Sequence, residues 1–395
     1  MKNVVGIPAT GENFFPREVE IEKIFSRIDA GNNLQIAAPR RVGKTSILHF
    51  LKDNSIGGYI YIYVDTERVA SEQEFYKKLL KTIVKTDAIA SSRLLVTLLE
   101  QGTKFFKKIK SVKVLGQGID FAEESSEPDY FEELTNFLSG FELEGAEKIV
   151  LLIDEFPQTI LNIIDANKGD AKAAIQFLQS NRELRLNPDV MGKALFVYTG
   201  SIGLNHTVAA ISATAFVNDL NSTEVEPLTV AEACELTQTL FDGKGITSDE
   251  TTINHLIQKI RWLIPFHIQL AVQEIGTLCS KSKFVTIETV DTAFDLMVVS
   301  RNHNHFEHYY SRLKSQFKGN EFNYAETLLQ KIATGGAIGT GEIYDQAVAF
   351  SVEGRYRQIL EVLTYDGYIN NNSDKHYYEF NSPVVHLWWQ KFICK

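Results

Sequence analysis

Apolar positions along the chain change their period several times, and each change marks an element. Residues 1–16 carry Gly6, Pro8, Gly11 and Pro16 and read as an extended lead-in. From 17 to 28, Val19, Ile21, Ile24, Phe25 and Ile28 fall near helical spacing. Gly31-Asn32-Asn33 ends that helix. The stretch 34–51, LQIAAPRRVGKTSILHFL, then reads as a buried strand, a tight loop and an amphipathic helix. A second strand at 59–64 ends at Asp65. Ser71 with Glu74 resembles a capping box ahead of a helix marked by Phe75, Leu79 and Ile83. Residues 148–155, KIVLLIDE, form a strand without a polar face, as in a parallel sheet covered on both sides. A helix at 171–186 and a strand at 194–198 follow, and 224–228 reads as a last short strand.

Beyond 229 the period is helical. Residues 229–297, broken at Gly243, Gly245 and Pro265, read as a small helical lid. Helices at 322–332, 342–350 and 354–365 precede a hairpin whose strands, 368–369 and 377–380, flank the turn-forming 370–376. Three helices and a two-stranded wing are the winged-helix order. The expected boundaries are therefore a core at 1–228, a lid at 229–310 and a winged-helix domain at 320–395.

Composition narrows the function. The 395 residues leave room for two or three domains. A net charge of -10 argues against a general nucleic-acid coat and leaves room for a local basic face. Five lysines at 104–113 read as a solvated helix end or hairpin, partly facing the acidic run at 123–133, with a nucleic-acid contact as the alternative. No apolar run approaches a membrane span. Cys234, Cys279 and Cys394 form neither a disulfide framework nor a zinc pattern and suit a reducing cytosol, so a cytoplasmic protein is expected.

Two stretches carry chemistry. The loop Ala38-Pro39-Arg40-Arg41-Val42-Gly43-Lys44-Thr45 is one residue short of the phosphate-cradling pattern G-x-x-x-x-G-K-[ST]. Its backbone N–H groups and the start of the next helix favour an anion. Lys44 would reach the β- and γ-phosphates, Thr45 would place its hydroxyl on Mg²⁺, and Gly43 would let the backbone approach closely. Ala38 stands where the pattern has its first glycine, so a slightly weakened site is expected. The second stretch is Asp154-Glu155 at the end of its strand, where open α/β sheets place ligands. Asp154 would hold Mg²⁺, directly or through water, and Glu155 would polarise the attacking water.

Other positions are weaker candidates. Thr199-Gly200-Ser201, at the next strand tip, would orient water or sense the γ-phosphate. Arg182 or Arg185 could serve as a finger on a neighbouring copy's nucleotide, which would imply a homo-oligomer; a surface arginine is the plainer reading of each. Arg261 could reach back toward the phosphates. His303, His305 and His308 do not share a helix face and read as solvated rather than metal-binding. Arg355 and Arg357 lie on the third C-terminal helix, the one that reads DNA where such domains bind it. Trp388 and Trp389 offer bulk for packing, or for docking a protein partner.

Together these motifs resemble the archaeal-type ATPase family of the STAND branch of AAA+-like P-loop NTPases. Phe15-Pro16-Arg17-Glu18 is similar to its F-x-G-R-E, and 39–46, from Pro39 to Ser46, to its P-R-R-x-G-K-T-S. The segment 151–156 matches its acidic strand, Thr199-Gly200-Ser201 the next strand tip, and 262–266 its G-x-P-[FY] segment without the glycine. The end of the chain, with Tyr378-Glu379-Phe380, Ser382-Pro383 and Trp388-Trp389, resembles the family's terminal winged helix. The resemblance implies an α/β core with a parallel sheet and helices on both faces, then a helical lid and a winged helix. It also implies ATP and Mg²⁺ binding, with Arg17 and adenine near 6–17. Relatives act as signalling switches, in defence against foreign DNA and near replication initiators, so DNA and an unnamed protein stand as candidate partners. The two missing glycines imply slow turnover. The expected function is a nucleotide-dependent switch. The alternatives are a DNA-binding initiator or adaptor and a docking scaffold with structural nucleotide.

Overall fold

The computed structural model describes residues 1–90, 128–141 and 148–394; the lysine run at 104–113 and the first part of the acidic run, 123–127, lie outside them. These residues divide into two compact units. One comprises 17–37 and 47–224. The other gathers 1–16, 38–46 and 225–395.

The first unit is built on a parallel sheet of five strands: β1 (Leu34–Ala37), β2 (Ile60–Asp65), β3 (Ile149–Asp154), β4 (Ala194–Thr199) and β5 (Asn221–Glu224), in the order β2-β3-β4-β1-β5. Every residue of β3 and β4 is buried, which explains their unbroken apolar character. Side chains alternate along β3. Ile149, Leu151 and Ile153 join a cluster with Phe75, Leu79, Phe137 and Phe177 from helices Glu72–Lys85, Tyr130–Ser139 and Lys172–Leu186. Val150 and Leu152 are equally buried and belong to the opposite face. Because the strands are parallel, their C-terminal tips share one edge, and β4 separates β1 from β3 there.

Two sequence expectations shift. The last strand of the sheet is not 224–228 but Asn221–Glu224, a polar strand that pairs, among the described residues, with β1 alone; Val225 and Leu228, the apolar residues that suggested a strand, are buried beyond it. Ser71 does cap its helix by accepting from Glu74 N, but the Glu74 carboxylate takes the N–H of Ala70 rather than that of Ser71.

The second unit holds the helices Val230–Lys244, Glu250–Ile260, Pro265–Leu278 and Ile287–Leu296. Thr229 and Glu232 close a reciprocal capping box on the first of these. The C-terminal part runs helix Asn320–Gly335, β6 (Ala337–Gly339), helices Thr340–Ala349 and Tyr356–Tyr365, β7 (Ile369–Asn370), β8 (Tyr377–Phe380) and helix Pro383–Phe392, with an antiparallel sheet in the order β6-β8-β7. Trp388 and Trp389 are fully buried, which removes docking through an exposed tryptophan face. No helix among the described residues is long and apolar enough to cross a membrane.

Candidate functional site

The loop after β1 turns through two residues with positive φ, Arg41 at 64° and Gly43 at 106°, and helix Lys44–Asn54 starts at once. Ala38 is not among the positive-φ residues, and its methyl group is buried. Alanine is therefore accommodated at residue 38 without left-handed backbone strain. The left-handed position falls to Arg41, where a side chain costs about 1 kcal/mol or more.

Arg41 lays its guanidinium over the Phe266 ring at 3.8 Å, and burial lowers its pKa to about 10 against the opposing effect of Tyr309. Its side chain thus packs on an aromatic ring, with one guanidinium nitrogen, Nη1, buried without a hydrogen-bond partner among the described residues. Lys44 is buried and donates to the carbonyls of Ala38 at 2.6 Å and Pro39 at 2.8 Å, so the ammonium is held against its own loop. Val42 and Ser46 are buried; Arg40 and Thr45 are partly exposed.

In the sheet unit, Asp154 ends β3 with 3% of its surface exposed. Thr199, at the tip of β4, donates its hydroxyl to Asp154 Oδ1, and Glu155 N donates to the same oxygen at 3.0 Å. Tyr63 from β2 donates to Oδ2 at 3.2 Å. Burial first, then the charges of Asp154 and Asp65, push the Tyr63 pKa well up and keep the phenol a donor. Glu155 sits in the left-handed region at φ 57°, and its Oε2 accepts from both the N–H and the hydroxyl of Ser201, each at 3.0 Å. The four expected residues Asp154, Glu155, Thr199 and Ser201 therefore form two carboxylate–hydroxyl pairs. A buried carboxylate held by neutral donors is the oxygen chemistry a hard cation takes, and the Thr45 hydroxyl is of the same class.

No protein-family model matches the chain, and no curated protein matches it. Among solved structures, a Walker-type ATPase of Pyrococcus abyssi is similar over 99% of this chain and 100% of its own, with a TM-score of 0.65 at 17% identity. The ORC2 protein of Aeropyrum pernix, solved in ADPNP and ADP complexes, is similar over 96% of this chain and 94% of its own, with a TM-score of 0.56 at 12% identity. The fold is that of Walker-type ATPases.

Several sequence candidates lie elsewhere in this Walker-type fold. Arg185 is buried, with a two-pronged contact to Asp219 at 2.8 Å on each arm and further bonds to Asn181 and the Phe216 carbonyl. It is thereby a structural cation and not a finger for a neighbouring copy. Arg182 is partly exposed, 3.7 Å from the same Asp219. Arg17 is buried and bonds Glu20 at 2.8 Å. Arg261 caps its helix and bonds Glu379 and the Phe380 carbonyl, both at 3.2 Å, so it serves the C-terminal hairpin rather than phosphates.

The three histidines are not solvated as expected. His303 accepts from the Trp388 indole at 3.2 Å, His305 sits edge-on to Phe266, and His308 packs on Tyr309. No group of three or more His, Cys, Asp or Glu placed to hold a metal ion occurs among the described residues. Arg355 pairs with Glu321 at 3.2 Å, and Arg357 lies over Tyr356.

Sequence reasoning passed over Tyr63. Its signal was the alternation in IYIYVD, which puts Tyr61 and Tyr63 on one face of a strand that ends beside the acidic pair.

Proposed function

We propose that the chain binds and slowly hydrolyses ATP, with loop 38–46 and the pair Asp154-Glu155 acting on one triphosphate, as a nucleotide-dependent conformational switch. The observation that carries this reading is the strand order. The strand that leads into the Gly43-Lys44-Thr45 turn and the strand that ends in two carboxylates point the same way in one parallel sheet, with a hydroxyl-bearing tip between them. In this reading the loop amides and Lys44 hold the phosphates, with Pro39, Arg40, Val42 and Ser46 shaping the turn. Thr45 and Asp154 hold the Mg²⁺, whose charge would offset that of the phosphates.

Glu155 polarises water. Ser201 holds its carboxylate until it turns, and that step accounts for slow turnover. Thr199 acts through Asp154. Residues 1–228 serve as the core, 229–310 as the lid and 320–395 as a winged helix, with Arg17 near the adenine side.

A DNA-binding role draws little support from charge. Residues 320–395 hold nine Asp and Glu against six Lys and Arg, and Arg355 is already paired.

The test is ATP binding and turnover in three proteins. Lys44→Ala is expected to abolish ATP binding. Glu155→Gln is expected to keep binding and lose turnover. Parental turnover in Glu155→Gln, or parental affinity in Lys44→Ala, would overturn these assignments. Scattering profiles that are identical with and without ATP would remove the switch.

A further inference from the structure

Tyr63 has no part in the reading above, yet it touches the residue on which that reading depends. Its ring lies against the His49 imidazole, with centroids 4.4 Å apart. Its hydroxyl reaches Asp154 Oδ2 at 3.2 Å. Thr199 holds the other oxygen, Oδ1, together with the N–H of Glu155. The two strands that flank β3 thus each send one hydroxyl to the same buried carboxylate, one to each oxygen. An Asp carboxylate rotates in a broad torsional well when only one oxygen is held. Donors on both oxygens fix its plane, and the His49 ring, packed at a tilt against Tyr63, fixes the phenol that supplies one of them.

We infer that Tyr63 is a positioning residue for Asp154, and that it sets how well that carboxylate receives the divalent cation that accompanies the nucleotide. The inference rests on the nucleotide reading of the site. Tyr63→Phe removes one hydroxyl and keeps the ring on His49. Partners of metal-binding carboxylates set ligand orientation, and their loss weakens metal affinity roughly 10–100-fold.

The experiment is calorimetric titration of the full chain with ATP over a series of Mg²⁺ concentrations, with Mn²⁺ resonance spectra as a second readout. Tyr63→Phe should leave metal-free ATP affinity at the parental value. It should raise the Mg²⁺ concentration for half-maximal tightening by about tenfold or more. His49→Ala, which frees the phenol, should move the requirement the same way; His49→Phe, which keeps a ring there, should match the parent. A phenol that merely fills space would leave the metal requirement untouched. An unchanged or lowered requirement in Tyr63→Phe, where the parent does depend on Mg²⁺, overturns the inference alone. A parent that binds ATP without any dependence on Mg²⁺, or does not bind it, overturns the inference together with the nucleotide reading.

Discussion

At the scale of single residues, the departure at Ala38 and the strain at Arg41 exchange places. A sequence pattern counts glycines by position, but the backbone angle decides where a Cβ costs anything. Residue 38 stays out of the left-handed region, whereas Arg41 and Glu155 both enter it. Ala38→Gly is therefore expected not to tighten ATP binding, and a clear gain in a calorimetric titration would show the methyl to be the obstacle. Arg185 makes a second case. Its type and helical position left a trans finger open, because sequence does not reveal a partner 34 residues away; the forked contact to Asp219 does. Arg185→Ala should cost about 3 kcal/mol of stability by taking the forked partner from the half-buried Asp219 and emptying a buried site, whereas Arg182→Ala should cost little. Chemical denaturation measures both. A stably folded Arg185→Ala that had lost only turnover would contradict the structural role.

At the scale of elements, long periodic segments were legible and their polar ends less so. The buried strands, the loop with its helix, and most of the second-half helices stand where apolar spacing put them, because burial on both faces or along one stripe leaves a direct mark. The edge strand β5 did not, since Asn221-Ser222-Thr223-Glu224 is held by pairing with β1 rather than by apolar content. The histidines of helices Pro265–Leu278 and Asn304–Gln316 escaped for the same reason: packing, which sequence does not print, decides their protonation.

Burial pushes His267 down to about 3, against a bond to the Trp262 carbonyl that favours the charged form. Burial and nearby Arg41 push His308 down to about 2. Both are neutral in the fold, while an unfolded histidine titrates near 6.5. Below that value the unfolded chain binds protons that the folded one refuses, so stability falls as pH drops from about 6.5 toward 3, by up to about 1.4 kcal/mol per pH unit for each group. Trp262, Trp388 and Trp389, the three tryptophans of the chain, all lie in the unit that holds these histidines, so their fluorescence reports it alone. The urea midpoint from that signal should be lower at pH 5.5 than at 7.5, and the gap should narrow in His267→Asn. Equal midpoints at the two pH values would contradict the buried neutral state.

At the scale of the molecule, the sheet core was readable because a parallel strand order, a glycine-lysine turn and a terminal acid pair constrain one another. The roles of the C-terminal elements were not, because element order is shared by domains that bind DNA and domains that bind proteins. The proposed reading predicts that an acidic segment with Arg355 paired to Glu321 gives no salt-dependent retention of the full chain on duplex DNA, even at about 50 mM salt. Salt-dependent retention would restore the DNA reading. The central claim is that the Lys44 turn and the Asp154 carboxylate serve one nucleotide. Its most direct measurement is ATP affinity, with and without Mg²⁺, in the parent, Lys44→Ala and Asp154→Asn. The account predicts that Lys44→Ala loses ATP binding in both conditions, while Asp154→Asn loses only the increment that Mg²⁺ adds. An Asp154→Asn protein that keeps the full Mg²⁺ increment would contradict it.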